Sequence, residues 1–530
     1  MLAIVVQPSA LGSPEAQSGG IVRISLAPQS GLDYIDPALS YTAPGWALLD
    51  TVCVRLMAYP DKPPPAAFRV QPEVAAGFPK VSRDLKTYTF TLRRGFRFSD
   101  GSPVRASAFA RAINRTLAPA VKSPGAAFTR DIVGATDVLA GRRTAAAGVV
   151  ARGNTLVVRL TQPAPDFAAR TTLPFFCAVP PALPAEPEGA GAFPGAGPYY
   201  VAEYRAGERV VIQRNRFYGG KRPHHVDGFD VDLRAASPTD MIQRIDRGEA
   251  DWGHTLAGIY LDPALALVDK YGINRSRFFL KPGLTLRMFA LNSTRPLFHG
   301  NPGLRKAVNF ALDRKALQAT SGGPLAGAVT DQYLPSALPG FRDGDVYPLE
   351  RADVQRAREL ARGNLRGGKA VLYTTDVPVA YAPAQLAKQQ LAEIGLDIEV
   401  KALPLHLASA AYLNRLAVRG EPWDLALVLW TPNLPDPYAY LNLLLDTQFI
   451  GGTNLMGFAS RAYDGKLRRA AMMPRSGERD RAYGELDIRL ARDAAPLAAL
   501  SIINEATLVS KRVGCIVLRP VLDLTAVCLR

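Results

Sequence analysis

One short run of residues restricts the fold of this chain more than any other feature. Residues Leu425 to Trp430, LALVLW, are apolar without a single interruption. A strand that is buried on both faces has this pattern, because helices cover both sides of a parallel sheet. The run is much shorter than the ~20 apolar residues that a membrane-spanning helix needs. It therefore predicts a buried strand in an α/β layer.

Helix and strand patterns alternate around this run. Helical spacing covers Ala352 to Ala361, Ala384 to Ile394 and Arg479 to Asp493, and Asp397 to Ala402 alternates as a strand does. This alternation is typical of an α/β unit. The chain has 530 residues, which at roughly 150 residues per domain gives three or four structural units.

The chain before residue 313 contains clear strand and helix patterns of its own. In Tyr88 to Leu92, the side chains of Tyr88, Phe90 and Leu92 fall on one face of a strand. Further strands are expected at Ile21 to Leu26, Asn154 to Leu160, Glu208 to Asn215 and Leu286 to Leu291, and helices at Pro103 to Leu117, Thr239 to Arg247 and Pro302 to Leu312. Phe96 to Ser102 is expected to be a strand that enters a turn at Asp100-Gly101.

The formal net charge is +16, which invites a test for nucleic-acid or anionic-membrane binding. The basic residues do not form one tract. Their densest groups, Arg93 to Arg97 and Lys466 to Arg469, are short. The charge therefore indicates a solvated basic surface, and we expect no nucleic-acid partner.

The four cysteines are Cys53, Cys177, Cys515 and Cys528, and no C-x-x-C motif is present. Two short apolar runs beside Cys515 and Cys528 could form a hairpin that brings the two sulfur atoms together. A disulfide there would fit an oxidising compartment. Two buried free thiols explain the same pattern equally well, and the sequence does not decide between them.

Motifs for catalysis or cofactors are missing from the sequence. It contains no G-x-S-x-G, no H-E-x-x-H and no phosphate-binding loop that ends in Gly-Lys-Ser/Thr. Of the five histidines only His224 and His225 are adjacent, and neighbours along a chain rarely bind one metal ion together. We therefore expect no catalytic residue, no metal site and no cofactor.

Residues 1–18 begin with a short apolar stretch, Met1 to Val6, without a preceding basic segment. The stretch is shorter than the ~7–15 residues of a signal-peptide core. We interpret residues 1–18 as the remainder of an export signal or as a disordered tail.

Four segments, taken in order, resemble one known family. They begin at Gln71, Gly195, Phe289 and Trp423. The matching residues are Tyr88-Thr89-Phe90, Leu92-Arg93, Gly95, Phe98, Asp100-Gly101 and Pro103, then Gly195 to Tyr199, Asn215, Tyr218 and Gly220, then Arg305, Ala307, Ala311, Asp313 and Arg314. With this spacing the chain resembles the family 5 extracytoplasmic solute-binding proteins, which are the receptors of dipeptide, oligopeptide and nickel ABC importers.

The resemblance implies a mixed α+β fold of the periplasmic-binding-protein type, with two lobes, a hinge and a ligand cleft between the lobes. Residues 19–55, 190–285 and 500–530 would form lobe I, and residues 56–189 an extra subdomain of that lobe. Residues 286–499 would form lobe II. Closure by hinge motion would trap the ligand.

The resemblance also places ligand contacts near three positions that precede the fourth segment. Tyr41 and Trp46 could present aromatic faces to the ligand, and Asn292 could present an amide near the crossover between the lobes. Trp46 could equally be a core residue of the helix that follows it, and both interpretations stay open at this point.

The fourth segment supplies the remaining candidates, which are Trp430, Asn433, Asp436 and Tyr438. Peptide-binding relatives have an aspartate three residues after this tryptophan, where it pairs with the α-ammonium of the ligand. Asn433 occupies that position here and lacks the charge that strengthens such a hydrogen bond. We therefore expect a ligand other than an ordinary peptide with a free amino terminus, or weak binding of such a peptide.

The function that follows is capture of a peptide or peptide-like solute outside the cytoplasm, in the periplasm or at the outer face of the membrane. The expected partners are the ligand and the permease subunits of an ABC transporter, and the chain itself is expected to be a monomer. A receptor for an opine, an oligosaccharide or a metal chelate is the alternative, and a hydrolase with dispersed catalytic residues is a weaker one.

Overall fold

The computed structural model describes residues 19–26, 32–64, 66–256, 261–404, 422–518 and 524–530. Residues 1–18, which the sequence assigns to an export signal or tail, lie outside this description. The strands are β1 (Ile21–Ser25), β2 (Met57–Ala58), β3 (Gln71–Pro72), β4 (Lys80–Val81), β5 (Thr87–Thr91), β6 (Val149–Arg152), β7 (Thr155–Arg159), β8 (Tyr199–Arg205), β9 (Arg209–Arg214), β10 (Gly228–Asp232), β11 (Trp252–Leu256), β12 (Phe278–Leu291), β13 (Gly327–Val329), β14 (Lys369–Thr375), β15 (Asp397–Leu403), β16 (Leu425–Trp430), β17 (Leu497–Val509), β18 (Val513–Cys515) and β19 (Cys528–Leu529).

The described helices are numbered in the same way. They are α1 (Ala43–Val52), α2 (Ala106–Leu117), α3 (Ala126–Thr129), α4 (Ala135–Leu139), α5 (Phe167–Arg170), α6 (Pro238–Asp246), α7 (Leu261–Tyr271), α8 (Pro302–Ala311), α9 (Arg314–Ala319), α10 (Gly323–Ala326), α11 (Val354–Ala361), α12 (Pro378–Ala392), α13 (Tyr438–Leu445), α14 (Arg461–Met472) and α15 (Gly477–Arg489). A π-helical segment, Leu490–Ala494, continues α15. No helix within the described ranges combines the length and apolar composition needed to cross a bilayer.

One large sheet runs through most of the molecule. Its strand order is β15-β14-β16-β12-β17-β11-β1-β10-β9-β8, and β13 pairs with β17 beside this path. Parallel pairs, such as β14 with β15, stand next to antiparallel pairs, such as β12 with β16. The sheet is therefore mixed, as expected for an α+β fold.

Strands β12 and β17 connect the two halves of this sheet. They contain 14 and 13 residues, and 14 extended residues span roughly 46 Å at ~3.3 Å each. β12 pairs with β16 from Leu286 to Leu291, whereas β17 pairs with β11 from Glu505 to Val509. The register between β12 and β17 shifts between Pro282 and Leu286 and again between Arg287 and Met288, so the crossing between the halves is irregular.

Separate hydrophobic cores form on the two halves of the sheet. Val22, Ile212 and Phe229 pack with Leu49 and Val52 of α1 in the first half. The second half has a core on each face. One contains Phe289, Leu425, Leu304 and Leu391, and the other contains Leu286, Ala426, Leu441 and Leu486. Helices thus cover both faces of the second half, as its apolar run predicted.

The predicted strand Leu425–Trp430 is confirmed at both ends. Leu425 and Ala426 are buried, but Leu429 is 45% exposed. The helical layers therefore stop short of the carboxyl end of β16, which lies open on one face.

A smaller sheet with the strand order β4-β5-β7-β6 forms a separate layer within residues 56–189. Tyr88, Phe90 and Leu92 are all buried in its core, as their alternation predicted. Helix α2 packs on them through Phe109 and Ile113, which lie four residues apart on one helical face.

The structure joins the cysteines in two disulfides. The pair that the sequence left undecided, Cys515 and Cys528, is bonded across strands β18 and β19. Cys53, directly after α1, is bonded to Cys177. The second bridge ties α1 to the segment that leads out of the smaller sheet's core, and no spacing rule in the sequence indicated it.

Three local expectations differ from the structure. The turn expected at Asp100-Gly101 is present, since the carboxylate of Asp100 accepts hydrogen bonds from the amide and hydroxyl of Ser102 and Gly101 has a positive φ of 87°. The residues before it form only an isolated bridge between Arg97 and Pro103 instead of the expected strand. The strand expected at Leu286 already begins at Phe278. The helix expected from Ala384 begins at Pro378 and contains Pro383 in its interior.

Candidate functional site

The loop from Thr431 to Pro437, hereafter the contact loop, follows β16 and leads into α13. It begins where the helical layer ends beside Leu429. Leu434 of this loop is 6% exposed and belongs to the core of the smaller sheet. The contact loop of the second half therefore packs directly against residues of the first half.

Tyr41 and Asn433 meet at this boundary. Burial raises the pKa of the Tyr41 hydroxyl, and the polar side chain of Asn433 beside it partly offsets that effect. The Tyr41 residue as a whole is 46% exposed, so its ring borders solvent while its hydroxyl lies against the contact loop. These two predicted ligand contacts thus come together across the lobes.

Trp46 lies beside Tyr41 but is mostly engaged with the protein. Its indole N–H donates to the carbonyl oxygen of Ser40 at 2.9 Å. The ring is half-buried and stands edge-on to Phe175, with 6.1 Å between centroids. The geometry favours the core interpretation of Trp46.

Trp430, expected among the ligand contacts, makes extensive contacts within the protein. The residue is 7% exposed and packs in the core with Tyr440 and Leu284. Its indole N–H donates to the carbonyl oxygen of Ala439 at 3.0 Å. Trp430 therefore anchors the contact loop to α13.

Asp436 was also expected at the ligand, but its carboxylate is occupied within the protein. Its oxygens accept hydrogen bonds from Arg479 at 2.8 and 3.2 Å, and Arg475 lies 3.0 Å away. Burial alone would raise the pKa of Asp436, but the two guanidinium charges outweigh it and hold the pKa at about 2. Asp436 therefore fixes the contact loop to α15.

The side-chain amide of Asn292, a further candidate, makes hydrogen bonds within the protein. Its nitrogen donates to the carbonyl oxygen of Trp423 at 2.9 Å, and its oxygen accepts from the amide and hydroxyl of Thr294. The residue is 4% exposed. Asn292 thus shapes the turn after β12 through hydrogen bonds of both its amide nitrogen and its amide oxygen.

Tyr438, the last candidate, faces the first half of the molecule. Burial raises the pKa of its hydroxyl well above the ordinary value, with the charges of Asp166 and Arg170 nearby. Asp166 and Arg170 form an ion pair in the smaller-sheet unit. Tyr438 is therefore a second point, besides Asn433, at which the start of α13 meets that unit.

Two charged residues on the long strands were missed by the sequence interpretation. Arg287 of β12 is 6% exposed, and burial lowers its pKa to about 10. Burial raises the pKa of Glu505 on β17 to about 8. Lys281 stands opposite Glu505 in the strand register but forms no ion pair with it. In the sequence, Arg287 and Glu505 could have been noticed because each is a charged residue inside an otherwise apolar run.

Two surface cavities lie away from the contact loop. One, of about 410 Å³, is lined by charged residues such as Arg209, Asp230 and Asp232, several of which form ion pairs with one another. The other, of about 840 Å³, lies between α14 and α15. In the part of the chain that is described, no three His, Cys, Asp or Glu side chains come together as a metal site.

Comparison with known proteins points to one family. Residues 69–452 match the family described as bacterial extracellular solute-binding proteins, family 5 Middle. The probable D,D-dipeptide-binding periplasmic protein of Escherichia coli strain K12 is 24% identical over 502 residues, which cover 92% of this chain and 90% of that protein. The periplasmic oligopeptide-binding protein of the same strain is 24% identical. The match covers 82% of this chain and 79% of that protein.

Solved structures share the whole fold. The clavulanic acid biosynthesis oligopeptide binding protein 2 superposes with a TM-score of 0.87 at 25% identity, covering 97% of this chain and 96% of its own. A peptide complex of a periplasmic binding protein from Helicobacter pylori superposes with a TM-score of 0.72 at 19% identity. The superposition covers 97% of this chain and 98% of that protein. The two-lobed arrangement is therefore shared along nearly the full length.

Proposed function

Since the chain belongs to the bacterial extracellular solute-binding proteins of family 5, we propose that it is the receptor of an ABC importer for a peptide or peptide-like solute. The receptor holds the solute between its two lobes and delivers it to the permease subunits. The peptide class is supported by the relatives named as dipeptide- and oligopeptide-binding proteins. Binding is reversible and involves no covalent step.

The contact between Tyr41 and Asn433 is the observation that carries this proposal. It joins the exposed aromatic side chain of lobe I to the contact loop of lobe II. A solute that enters between the lobes would exchange this one weak contact for its own contacts with both side chains. Lobe closure is thereby coupled to occupancy.

The long strands support the same mode of action. β12 and β17 run from one lobe to the other, and their register shifts after Pro282. An irregular two-strand crossing can bend more easily than a regular ladder, because fewer hydrogen bonds fix its twist. We propose residues 282–286 as part of the hinge, together with the lobe boundaries given from the sequence.

Recognition of the amino terminus differs from that expected of peptide-binding relatives. Asn433 is neutral, and the nearby Asp436 is neutralised by Arg475 and Arg479. No carboxylate of the contact loop is therefore free to pair with a ligand ammonium. We propose that the amine contributes little to affinity.

Titration calorimetry with peptides of two to five residues and their N-acetylated forms tests this function. We expect binding of both forms with dissociation constants that differ by less than ~10-fold, and a more compact liganded state in small-angle scattering. Asn433→Asp is the matched variant, and it should favour the free amine, since a charged acceptor strengthens the hydrogen bond. Failure of every peptide to bind would refute the peptide class.

A further inference from the structure

Arg287 is a buried cation for which the described protein provides no counter-charge. Its side chain makes no hydrogen bond and no ion pair with any part of the chain that the structure describes, although the residue is 94% buried. Two other buried arginines differ sharply. Arg314 donates to the carbonyl oxygens of Asn309 and Ala499, and Arg305 donates to the carbonyl oxygens of Phe298 and Ala494.

The position of Arg287 follows from the alternation of β12. Phe289 and Leu291, two and four residues further on, lie in the core covered by α8 and α12. The ladder with β16 is regular from Leu286 to Leu291, although the register with β17 shifts between Arg287 and Met288. Side chains two apart in a regular strand share a face, so Arg287 continues that face toward the contact loop. Its neighbour across β16 is Leu429, which is 45% exposed. Arg287 therefore lies where the covered face opens to solvent, two residues before the start of the contact loop in the register with β16.

The groups around Arg287 are hydroxyls rather than carboxylates. Ser501 is its partner across β17. Thr285, two residues before it, shares a hydrogen bond of 2.9 Å with Thr431 at the start of the contact loop. Glu505, on the same strand as Ser501, is four residues away, which is roughly 13 Å of extended chain. The surroundings thus suit an anion with several hydrogen-bonding oxygens.

We propose that Arg287 receives a carboxylate of the bound solute, so that the protein selects acidic ligands. This inference rests on the proposed function and narrows its substrate class. A buried guanidinium without a partner destabilises the empty protein, because its lost hydration is not replaced. A ligand carboxylate restores the missing interaction, with two oxygens that match the two parallel N–H groups of a guanidinium. The free energy lost on folding is thus recovered on binding.

Trialanine and trialanine amide are the probes, compared by titration calorimetry at one pH and salt concentration. The two differ only in the terminal carboxylate. We expect the wild-type protein to bind the acid ~10- to 100-fold more tightly, which is the range for a charge-assisted hydrogen bond. Arg287→Met should bind both peptides with the affinity of the amide. Arg287→Lys, which keeps the charge but not the paired N–H groups, should fall between them.

A thermal melt of the empty protein separates this role from a structural one. Arg287→Met should melt at a temperature equal to or above that of the wild type, because it removes an uncompensated charge. Arg314→Met is the matched control. It should melt at a lower temperature than the wild type, because it removes the hydrogen bonds that Arg314 donates to two backbone carbonyl oxygens. A fall in melting temperature for Arg287→Met as large as for Arg314→Met would assign Arg287 a structural role and overturn the inference.

The remaining outcomes separate the inference from the proposed function. Equal binding of acid and amide by the wild type, unchanged in Arg287→Met, overturns the inference and leaves a peptide receptor in place. If neither peptide binds, the peptide class fails, and succinate and hippurate become the probes. Thermal stabilisation of the wild type but not of Arg287→Met by either acid then supports the carboxylate site. Absence of stabilisation by both acids overturns it.

Discussion

Replacing Asp436 by Asn tests whether this residue serves the fold or the ligand. The pKa of Asp436 is held at about 2, below its ordinary value of ~3.9, which corresponds to about 2–3 kcal/mol of stability at neutral pH. The substitution also leaves Arg479, 4% exposed, without its counter-charge. Removing one member of a buried pair costs about 3–5 kcal/mol, so we expect a loss of about 3 kcal/mol.

The assay is urea denaturation followed by tryptophan fluorescence, with ligand affinity measured in parallel. Asparagine keeps the oxygen that accepts from the amide of Tyr438, so the loop should hold its conformation and ligand affinity should change by less than ~3-fold. Arg475→Ala is the control, because Arg475 is partly exposed and should cost no more than about 1 kcal/mol. Unchanged stability combined with lost affinity in Asp436→Asn would show that the carboxylate serves the ligand.

Three further perturbations have outcomes that follow from the structure. Removing the Cys53–Cys177 bridge, which closes 124 residues, should cost about 5 kcal/mol, against about 3 kcal/mol for the 13-residue Cys515–Cys528 bridge, as measured by thermal melting of the paired alanine variants. Tyr41→Phe deletes the hydroxyl that meets the contact loop, so scattering of the empty protein should show a more open average shape, and an unchanged shape would contradict that role. The folded pKa of Glu505, about 8, lies above its ordinary value, so wild-type stability should fall from pH 4 to pH 8 and then level off. Glu505→Gln should lack this fall of about 1–2 kcal/mol, reduced here for partial exposure, and parallel pH profiles would refute the assignment.

Local patterns in the sequence predicted the regular elements well. The apolar run Leu425 to Trp430 became β16 at the same bounds, and the alternation in Tyr88 to Leu92 became a buried strand face. Both depend on neighbouring side chains of one strand. The length of β12 and the whole of β17 were not visible in this way, because their two ends are buried in different lobes and carry no single period.

The partners of the candidate site residues were not visible in the sequence, because the use of a polar group depends on its neighbours in space. Trp430 and Asn292 lie at the ends of strands, as predicted. The indole N–H of Trp430 and the amide nitrogen of Asn292 both donate to nearby backbone carbonyl oxygens. The sequence distance of 43 residues between Asp436 and Arg479 hid their pairing. Tyr41 and Asn433 were chosen separately, and only the fold shows that they meet.

These differences move charge recognition from the contact loop to the long strands. If Asp436 were free, a carboxylate beside Asn433 could replace the missing one, and the ligand amine would decide specificity. Asp436 is instead bound by two arginines, while Arg287 on β12 has no partner within the described chain. An unpaired charge on a strand that passes through both lobes is most costly when closure removes water from it. A ligand carboxylate at Arg287 would relieve that cost in the closed state above all, so the same group would select the solute and favour closure.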